Sequence, residues 1–412
     1  MIAKRFPHKL ALASLLCVLL PGRCSQTAPM HLPVRAEAVP ASYFGMHIHR
    51  ADTTTPWPPL QFASLRLWDT GTTWSDIEPR RGEWRFDTLD RLVALADEHR
   101  VNVILTFGRT PLWAIAAGAT AANDPYRQSS PPAHMADWQE FVTEVATRYK
   151  GRIAGYEIWN EPNLREYYDG SPETLVEMTR IASQAIHRVD PGARVLSPSA
   201  TTTAGLPWLE AFLSAGGGSY VDVIAYHLYV IPDPPERMVA LVLAIRELMS
   251  RHGVARPLWD TETGWAKPKT FSSDAEQSAY VARALLLAWA AGVDRFYWYA
   301  WDNRNWVTLN LSTGDDYRPT LAAASYETTQ RWMSGKRIGP CDQSQDGVWS
   351  CKVTDGERQS VIFWNPDRET SFRPNINFGG GKLRLSTLDG QSREISETNL
   401  RAEIEPALLS AE

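Results

Sequence analysis

Gly155-Tyr156-Glu157-Ile158-Trp159-Asn160-Glu161-Pro162-Asn163 is the stretch on which the reading of this chain turns. An apolar, strand-like run ends in a carboxylic acid flanked by an amide and a proline. Proline lacks a backbone donor and stops regular pairing. Glu161 therefore falls where a strand gives way to a loop, and in a parallel α/β barrel such ends form the active-site face. About a hundred residues later, Pro257-Leu258-Trp259-Asp260-Thr261-Glu262-Thr263-Gly264-Trp265 repeats the pattern with Glu262.

Working outward, short β-like runs recur at Tyr43–Ile48, Ser64–Trp68, Val101–Phe107, Ile153–Trp159, Arg194–Pro198, Val221–Tyr226, Pro257–Thr261 and Arg295–Trp301. Helical patterns follow most of them, among them Phe86–His99, Trp138–Tyr149 and Ala275–Ala291. A further helix begins near Glu173, with Ser171 able to cap it and Pro172 at its first position. Ala51–Leu60 has no helical pattern, so the first crossover is degenerate. Strands alternating with helices predict an α/β fold with right-handed crossovers, most simply a (β/α)8 TIM barrel. An open doubly wound sheet is the alternative, but no Gly-rich phosphate loop follows the first strand. Past Gly335 the pattern changes to short β-like runs at Gly347–Val353, Gln359–Trp364, Lys382–Ser386 and Ser392–Ser396, separated by turn signals. The organisation expected is an export signal over 1–24, a linker or edge segment over 25–41, a catalytic barrel over 42–336 and a small C-terminal β-sandwich over 337–412.

Bulk properties fit a folded soluble protein. The chain has 412 residues, 44% hydrophobic and 22% charged. Its net charge of −5 gives no reason to expect a nucleic-acid partner. Seventeen Trp and fourteen Tyr are enough to build a core and still line a carbohydrate cleft, because flat rings match the apolar faces of sugars. Lys4, Arg5 and Lys9 precede an apolar stretch, Leu10–Leu20, too short to span a bilayer, which reads as a signal for export to the periplasm or medium. A lipid anchor on Cys24 would attach the protein to a membrane, although Arg23 departs from the small residue such signals carry. In an exported chain Cys341 and Cys351 read as a disulfide.

Two carboxylates flanking one bond are the apparatus of glycoside hydrolysis, one giving a proton to the leaving oxygen, the other attacking or activating water. Here the resemblance to retaining glycoside hydrolases of clan A is plain, with family 39 and family 5 the most similar. Asn160-Glu161-Pro162 resembles their strand-four Asn-Glu-Pro, and Glu262 their strand-seven acid. The resemblance implies Glu161 as acid/base, Glu262 as nucleophile and Asn160 as a contact to the sugar 2-hydroxyl. Tyr226-His227-Leu228-Tyr229 resembles the family 5 His-x-Tyr, with His227 on the sugar or the acid and Tyr229 donating to the nucleophile. Thr110-Pro111-Leu112-Trp113-Ala114 resembles a family 39 segment, which makes Trp113 a candidate sugar contact. The trailing β-module is also similar to that of family 39.

The residues themselves add more. Arg66 is a charge inside an apolar strand and calls for an interior acid, Glu262 or Glu157. His47 and His49 alternate at the end of the first strand, and His49 is taken as the sugar contact; a His/His metal site lacks a third ligand. Trp298 or Trp301 is expected to floor the subsite. Period-two alternation puts Glu157 on the face of Glu161, and Asp260 on the face of Glu262. An inverting pair using Asp260 is a lesser alternative. The expected function is an exported retaining β-glycosidase on a poly- or oligosaccharide, in the manner of endo-acting enzymes of bacterial exopolysaccharides. It would be a monomer needing no cofactor or metal. The competing readings are an exo-acting β-xylosidase-like enzyme, a transglycosylase using the same residues, and a non-catalytic glycan-binding barrel.

Overall fold

The structure, a computed structural model, describes residues 29–411 apart from 119, 120, 122, 304, 315, 377, 379–381 and 397–399. The expected export signal and Cys24 lie outside the described residues. After a short β1 (His31–Leu32) come β2 (Phe44–His47), β3 (Ser64–Leu67), β4 (Asn102–Thr106), β5 (Ile153–Glu157), β6 (Arg194–Leu196), β7 (Ala200–Thr201), β8 (Ile224–His227), β9 (Leu258–Thr263) and β10 (Arg295–Trp298). The last nine form one parallel sheet in the order β6-β5-β4-β3-β2-β10-β9-β8-β7. β6 and β7 are two pieces of one strand position, interrupted where Pro198 cannot donate to the ladder. Single bridges Leu196–Val223 and Asn160–Ser199 join the ends of the sheet, so it curls round onto itself.

Helices α1 (Trp74–Ile77) and α2 (Asp87–Glu98) follow β3, and α3 (Met135–Arg148) and α4 (Pro172–Val189) follow β4 and β5. α5 (Leu206–Ser214), α6 (Glu236–Arg251), α7 (Asp274–Ala291) and α8 (Leu321–Met333) follow β7, β8, β9 and β10. Their starts are written in the sequence. The hydroxyls of Ser171, Ser273 and Thr320 accept from the backbone N–H groups of Thr174, Glu276 and Ala323. No helix follows β2 among the described residues, in keeping with the pattern of Ala51–Leu60. Nor is any described helix long and apolar enough to cross a membrane.

The barrel interior is packed rather than hollow. Ile104, Leu196, Val223, Ala225, Trp259 and Tyr297 form a closed cluster inside it. Tyr297 fits because Gly45, beside it on β2, has no side chain; a Cβ there would stand 2.4 Å from the tyrosine ring. This plug closes the barrel below the mouth and confines ligand access to the strand C-terminal ends.

The C-terminal part is antiparallel. β11 (Arg337–Gln343), β12 (Trp349–Asp355), β13 (Arg358–Trp364), β14 (Thr370–Phe372), β15 (Leu383–Ser386), β16 (Ser392–Ile395), β17 (Leu400–Ala402) and β18 (Ala407–Ala411) complete the chain. Seven strands make one sheet, β1-β11-β12-β13-β18-β15-β16, and β14 pairs with β17. Alternation on β12 and β13 divides the side chains between two faces. Trp349, Cys351, Val353, Ile362 and Trp364 join the core shared with the barrel. Val361 and Phe363 join a second core with Leu400 and Ala402 of β17. α7 lies between barrel and sheet, and every residue from Ser278 to Ala291 is buried. Cys341 and Cys351 face one another across β11 and β12 and are disulfide-bonded.

Of the two readings of residues 25–41, linker or edge segment, the edge segment is the one seen: the segment includes β1, which pairs with β11 through His31–Asp342 and Leu32–Cys341. The same segment is fastened further by Arg35, which donates to the Val293 carbonyl and the Asp294 carboxylate. β11 would otherwise present an unpaired edge, and the N-terminal segment covers it. Gly45→Ala should destabilise the protein by about 1–3 kcal/mol through overpacking against Tyr297, read as a lower urea midpoint; an unchanged midpoint would show that the plug is not tightly packed.

Candidate active site

β5 ends at Glu157, and the next four residues bring Glu161 to the mouth. Its N–H donates to the Ser199 carbonyl at 2.9 Å. Its backbone sits at φ +40°, a conformation that L-residues rarely adopt. Asp69 and Thr202, on other strand-end loops, are also left-handed, at φ +58° each. Backbone strain thus gathers on the loops that shape the mouth. A hydrogen bond of 2.8 Å links Glu161 Oε1 to Nδ1 of His227, the last residue of β8. Burial pushes the Glu161 carboxyl up to about 7 and pushes the fully buried His227 imidazole down to about 4. Around neutrality the imidazole is uncharged, so Glu161 has no cation in contact to ionise it.

Glu262 reaches the mouth by a bulge. Along β9 and β10, Phe296 pairs with Asp260 but Trp298 pairs with Thr263, one residue out of step. Thr261 points inward and donates to Glu157 Oε1 at 2.6 Å. Glu262, next in the chain, also turns into the mouth. Asp260 is therefore not on the face of Glu262, as strict alternation predicts. It shares the helix-facing side with Thr263, whose hydroxyl donates to Asp260 Oδ1 at 2.8 Å. Gly264 follows, where a Cβ would stand 2.0 Å from the Tyr299 carbonyl oxygen. The bulge excludes Asp260 as a partner to Glu161, and burial pushes its own carboxyl well up.

Arg66 ties the acids together from β3. Its guanidinium donates to Glu157 Oε2, to Glu262 Oε2 at 2.6 Å and to Asn160 Oδ1 at 2.8 Å. Because arginine only donates, the Asn160 amide must turn its oxygen toward Arg66 and its NH2 away. Glu157 also accepts from Thr106 at 2.7 Å. Burial works against the Glu157 charge, but Arg66 and the threonine hydroxyls outweigh it and hold the carboxyl below its usual range. Burial pushes the Glu262 carboxyl up as well. Against that act the Arg66 guanidinium and the Tyr229 hydroxyl, which donates to Glu262 Oε1 at 2.9 Å. With a cation in contact, Glu262 ionises before Glu161. The cluster thus sets the Arg66 cation against Glu157 and Glu262, and places Glu161 beside an uncharged imidazole.

A carboxylate oxygen of Glu161, one of Glu262 and a ring nitrogen of His227 all lie within 4.8 Å of one another. Retaining glycosidases hold their carboxyl groups ~5–5.5 Å apart and inverting ones ~6.5–9.5 Å, to make room for a water. An approach of carboxylate oxygens within 4.8 Å fits the retaining spacing. The same three groups converge enough to hold a cation, but Arg66 already supplies positive charge to Glu262.

Above the acids opens a cavity of about 560 Å³, bordered by Trp68, Tyr167, Tyr229, Tyr299, Trp306 and both acids. The structure brings Asn160, Glu161, His227, Tyr229, Glu262 and Arg66 together there. Four residues expected as sugar contacts are elsewhere. Trp298 and Trp301 are wholly buried, and Trp298 packs on Phe296 and Trp265 on the helix side. Alternation along β10 sends Tyr297 and then Tyr299 inward, so the expected strand is right and its phase is off by one. Trp113 lies beneath Arg81 and against Trp74, and its Nε1–H donates to the Glu78 carbonyl. His49 borders an adjoining cavity rather than the catalytic one. His47 is buried, its Nε2–H donating to the Thr261 carbonyl, so the two histidines do not converge on a metal. Trp68, Asp69, Tyr167 and Trp306 are site residues that sequence reasoning misses. Trp68 and Asp69 closely follow Arg66 at a strand end, which is the available signal; Tyr167 and Trp306 sit on loops without a periodic pattern.

With this geometry in view, a family model described as "Glycosyl hydrolase catalytic core" matches residues 134–326, a span that includes both acids. A β-xylosidase of Geobacillus stearothermophilus is 24% identical over 231 residues, 49% of this chain and 45% of that one. Endo-1,4-beta-xylanase 2 of Claviceps purpurea is 33% identical over 127 residues, 29% of this chain and 35% of its own. The chain thus aligns with less than half the length of either relative. Among solved structures, a family 39 glycoside hydrolase from Bacteroides cellulosilyticus superposes with a TM-score of 0.72 at 17% identity, covering 90% of this chain and 81% of that one. A family 39 β-xylosidase from Caulobacter crescentus gives 0.64 at 15%, covering 92% and 98%. These (β/α)8 neighbours share the fold of this chain. Residues 134–326 thus match a glycosyl hydrolase catalytic core, and the chain shares its fold with these family 39 structures.

The protonation states predict a pH profile. Glu161 must carry its proton to serve as acid, so kcat/KM should fall as pH rises through about 7. Glu262 must be ionised, so activity should also fall in acid. On an activated 2,4-dinitrophenyl glycoside, Glu161→Gln should lose the basic limb and keep the acid one. A basic limb that survives in that variant would assign it to another group.

Proposed function

We propose that the protein hydrolyses β-glycosidic bonds by double displacement, with Glu262 as nucleophile and Glu161 as acid/base. The observation that carries this reading is the pairing of a donor-held Glu262 with a buried, proton-bearing Glu161 within 4.8 Å. In the first step a Glu262 oxygen bonds to the anomeric carbon, the bond from that carbon to the glycosidic oxygen breaks, and Glu161 gives its proton to the departing oxygen. In the second step Glu161 takes a proton from water, whose oxygen bonds to the anomeric carbon as Glu262 leaves. The sugar departs with its configuration kept. Positive charge that builds on the ring in each transition state meets the carboxylates that face the cavity. Trp306, 41% exposed and edge-on to Tyr229 and Tyr299, offers a flat face to a sugar at the rim.

The xylosidase and xylanase among the relatives make β-xylosides the first substrates to try. The finer proposal is endo action on a polysaccharide of the bacterial exopolysaccharide kind, by an exported monomer. Export rests on the basic residues before Leu10–Leu20, and a membrane anchor would require lipid on Cys24. Glu262→Ala should be inactive, with kcat reduced by several orders of magnitude. Azide should restore turnover of an activated aryl β-glycoside and yield the α-glycosyl azide, identified by NMR. Wild-type rates in Glu262→Gln, or an azide product of β configuration from Glu262→Ala, would sink the assignment.

A further inference from the structure

Beside the catalytic cavity lies a second one, also of about 560 Å³. Asp69 and Asn303 border both, so the two adjoin. The Tyr299 hydroxyl stands at their junction, within 3.2 Å of Asp69 Oδ2, 3.1 Å of His49 Nε2 and 2.9 Å of Asn303 Nδ2. Beyond the junction every described residue of the lining has a polar or charged group: His49, Arg50, Asp302, Asn303, Asn305 and Tyr317. Its floor is fixed. The buried Asp302 carboxylate accepts from the backbone N–H groups of His49 and Arg50 and from the Thr55 hydroxyl, at 2.8, 3.1 and 2.6 Å. One side chain thereby locks the loop after β2 to the loop after β10.

We propose that this second cavity is a sugar subsite, binding the unit next to the cleaved residue on its non-reducing side. The proposal rests on the glycosidase reading above. The direction follows from the proton. Glu161 gives its proton to the departing oxygen, so the departing half of the substrate lies toward Glu161 and its neighbours Leu164, Glu166 and Thr202. The second cavity belongs to the loops after β2, β3 and β10, on the other side of the anomeric carbon. Its occupant is therefore in the half that becomes bonded to Glu262. The ligand class follows from the lining. Arg50, Asn303 and Asn305 donate and Asp69 accepts, a set suited to the hydroxyls of a neutral sugar, with both cation and anion present. An enzyme that removes single terminal sugars has no occupant for such a site. One that retains two or more units beside the cleaved bond fills it, so the subsite favours attack on internal bonds.

The test compares short and long substrates on wild type and an Arg50→Ala/Asn305→Ala double variant. The probes are 4-nitrophenyl β-xyloside and β-glucoside, which do not extend past the catalytic cavity on the retained side, and xylotetraose and cellotetraose, which do. On whichever tetrasaccharide the wild type cleaves, kcat/KM should fall about tenfold or more, the worth of one or two hydrogen bonds to sugar. On the matching aryl glycoside it should stay within about twofold. Equal losses on both would make the two residues structural and overturn the subsite. No loss on the tetrasaccharide would overturn it too. Wild type inactive on all four probes would count against the proposed function and remove the basis of the subsite; wild type active with an indifferent variant would remove the subsite alone. If the double variant fails to fold, judged by its melting curve, the exposed Asn305→Ala alone repeats the comparison and should show the same selective loss, at about threefold or more.

Discussion

A guanidinium sealed inside a barrel has to be matched by negative charge, because an unpaired buried ion costs several kcal/mol and is not tolerated. Arg66 is wholly buried, and its match is Glu157 together with Glu262, with Asn160 completing its donors. Much of the site follows from that requirement. Glu157 neutralises the arginine from one side. Glu262, sharing the same cation, stays ionised although burial opposes it. Glu161 is left out of the cluster, bonded to a neutral imidazole, and keeps its proton. Two carboxylic acids of one chemical type thus take opposite roles because one touches a guanidinium and the other does not.

The packing serves the same end. The plug of Tyr297, Trp259 and their neighbours closes the barrel beneath Arg66, so water does not screen the ion pairs from below. The bulge in β9 swings Glu262 inward while leaving Asp260 on the helix side, where burial works against a second negative charge. The antiparallel sheet and the barrel together bury α7 from Ser278 onward, which steadies β9 from outside.

Much of this is legible in the sequence, for identifiable reasons. All eight barrel runs are found, because each is a short apolar stretch bounded by turns and set at barrel spacing. Glu161, Glu262 and Arg66 stand out because a charged group in or at the end of an apolar strand is costly to bury unless it has an interior partner or faces a site; His227 and Tyr229 stand out through the likeness of Tyr226-His227-Leu228-Tyr229 to the family 5 His-x-Tyr. What fails are inferences that depend on phase. Alternation gives Asp260 the wrong face because a bulge breaks the period, and nothing local in Trp259-Asp260-Thr261-Glu262 announces it. Size favours Trp298 and Trp301 over Tyr299, although alternation makes 298 and 299 mutually exclusive. β1, β14, β17 and β18 are short or lack a clear pattern, and their strand state comes from partners far along the chain, which a single sequence does not reveal.

The claim that Arg66 sets Glu262 up as the charged nucleophile, and Glu161 as the proton carrier, is tested most directly by trapping. A 2,4-dinitrophenyl 2-deoxy-2-fluoro-β-glycoside slows both steps but leaves well enough to load the enzyme, and peptide mass spectrometry then locates the sugar. The account predicts one fluoroglycosyl group per chain, on the peptide that contains Glu262, with inactivation in step with labelling. A label on Glu161 or Glu157, or turnover of ordinary substrate with inverted configuration and no label, would contradict it.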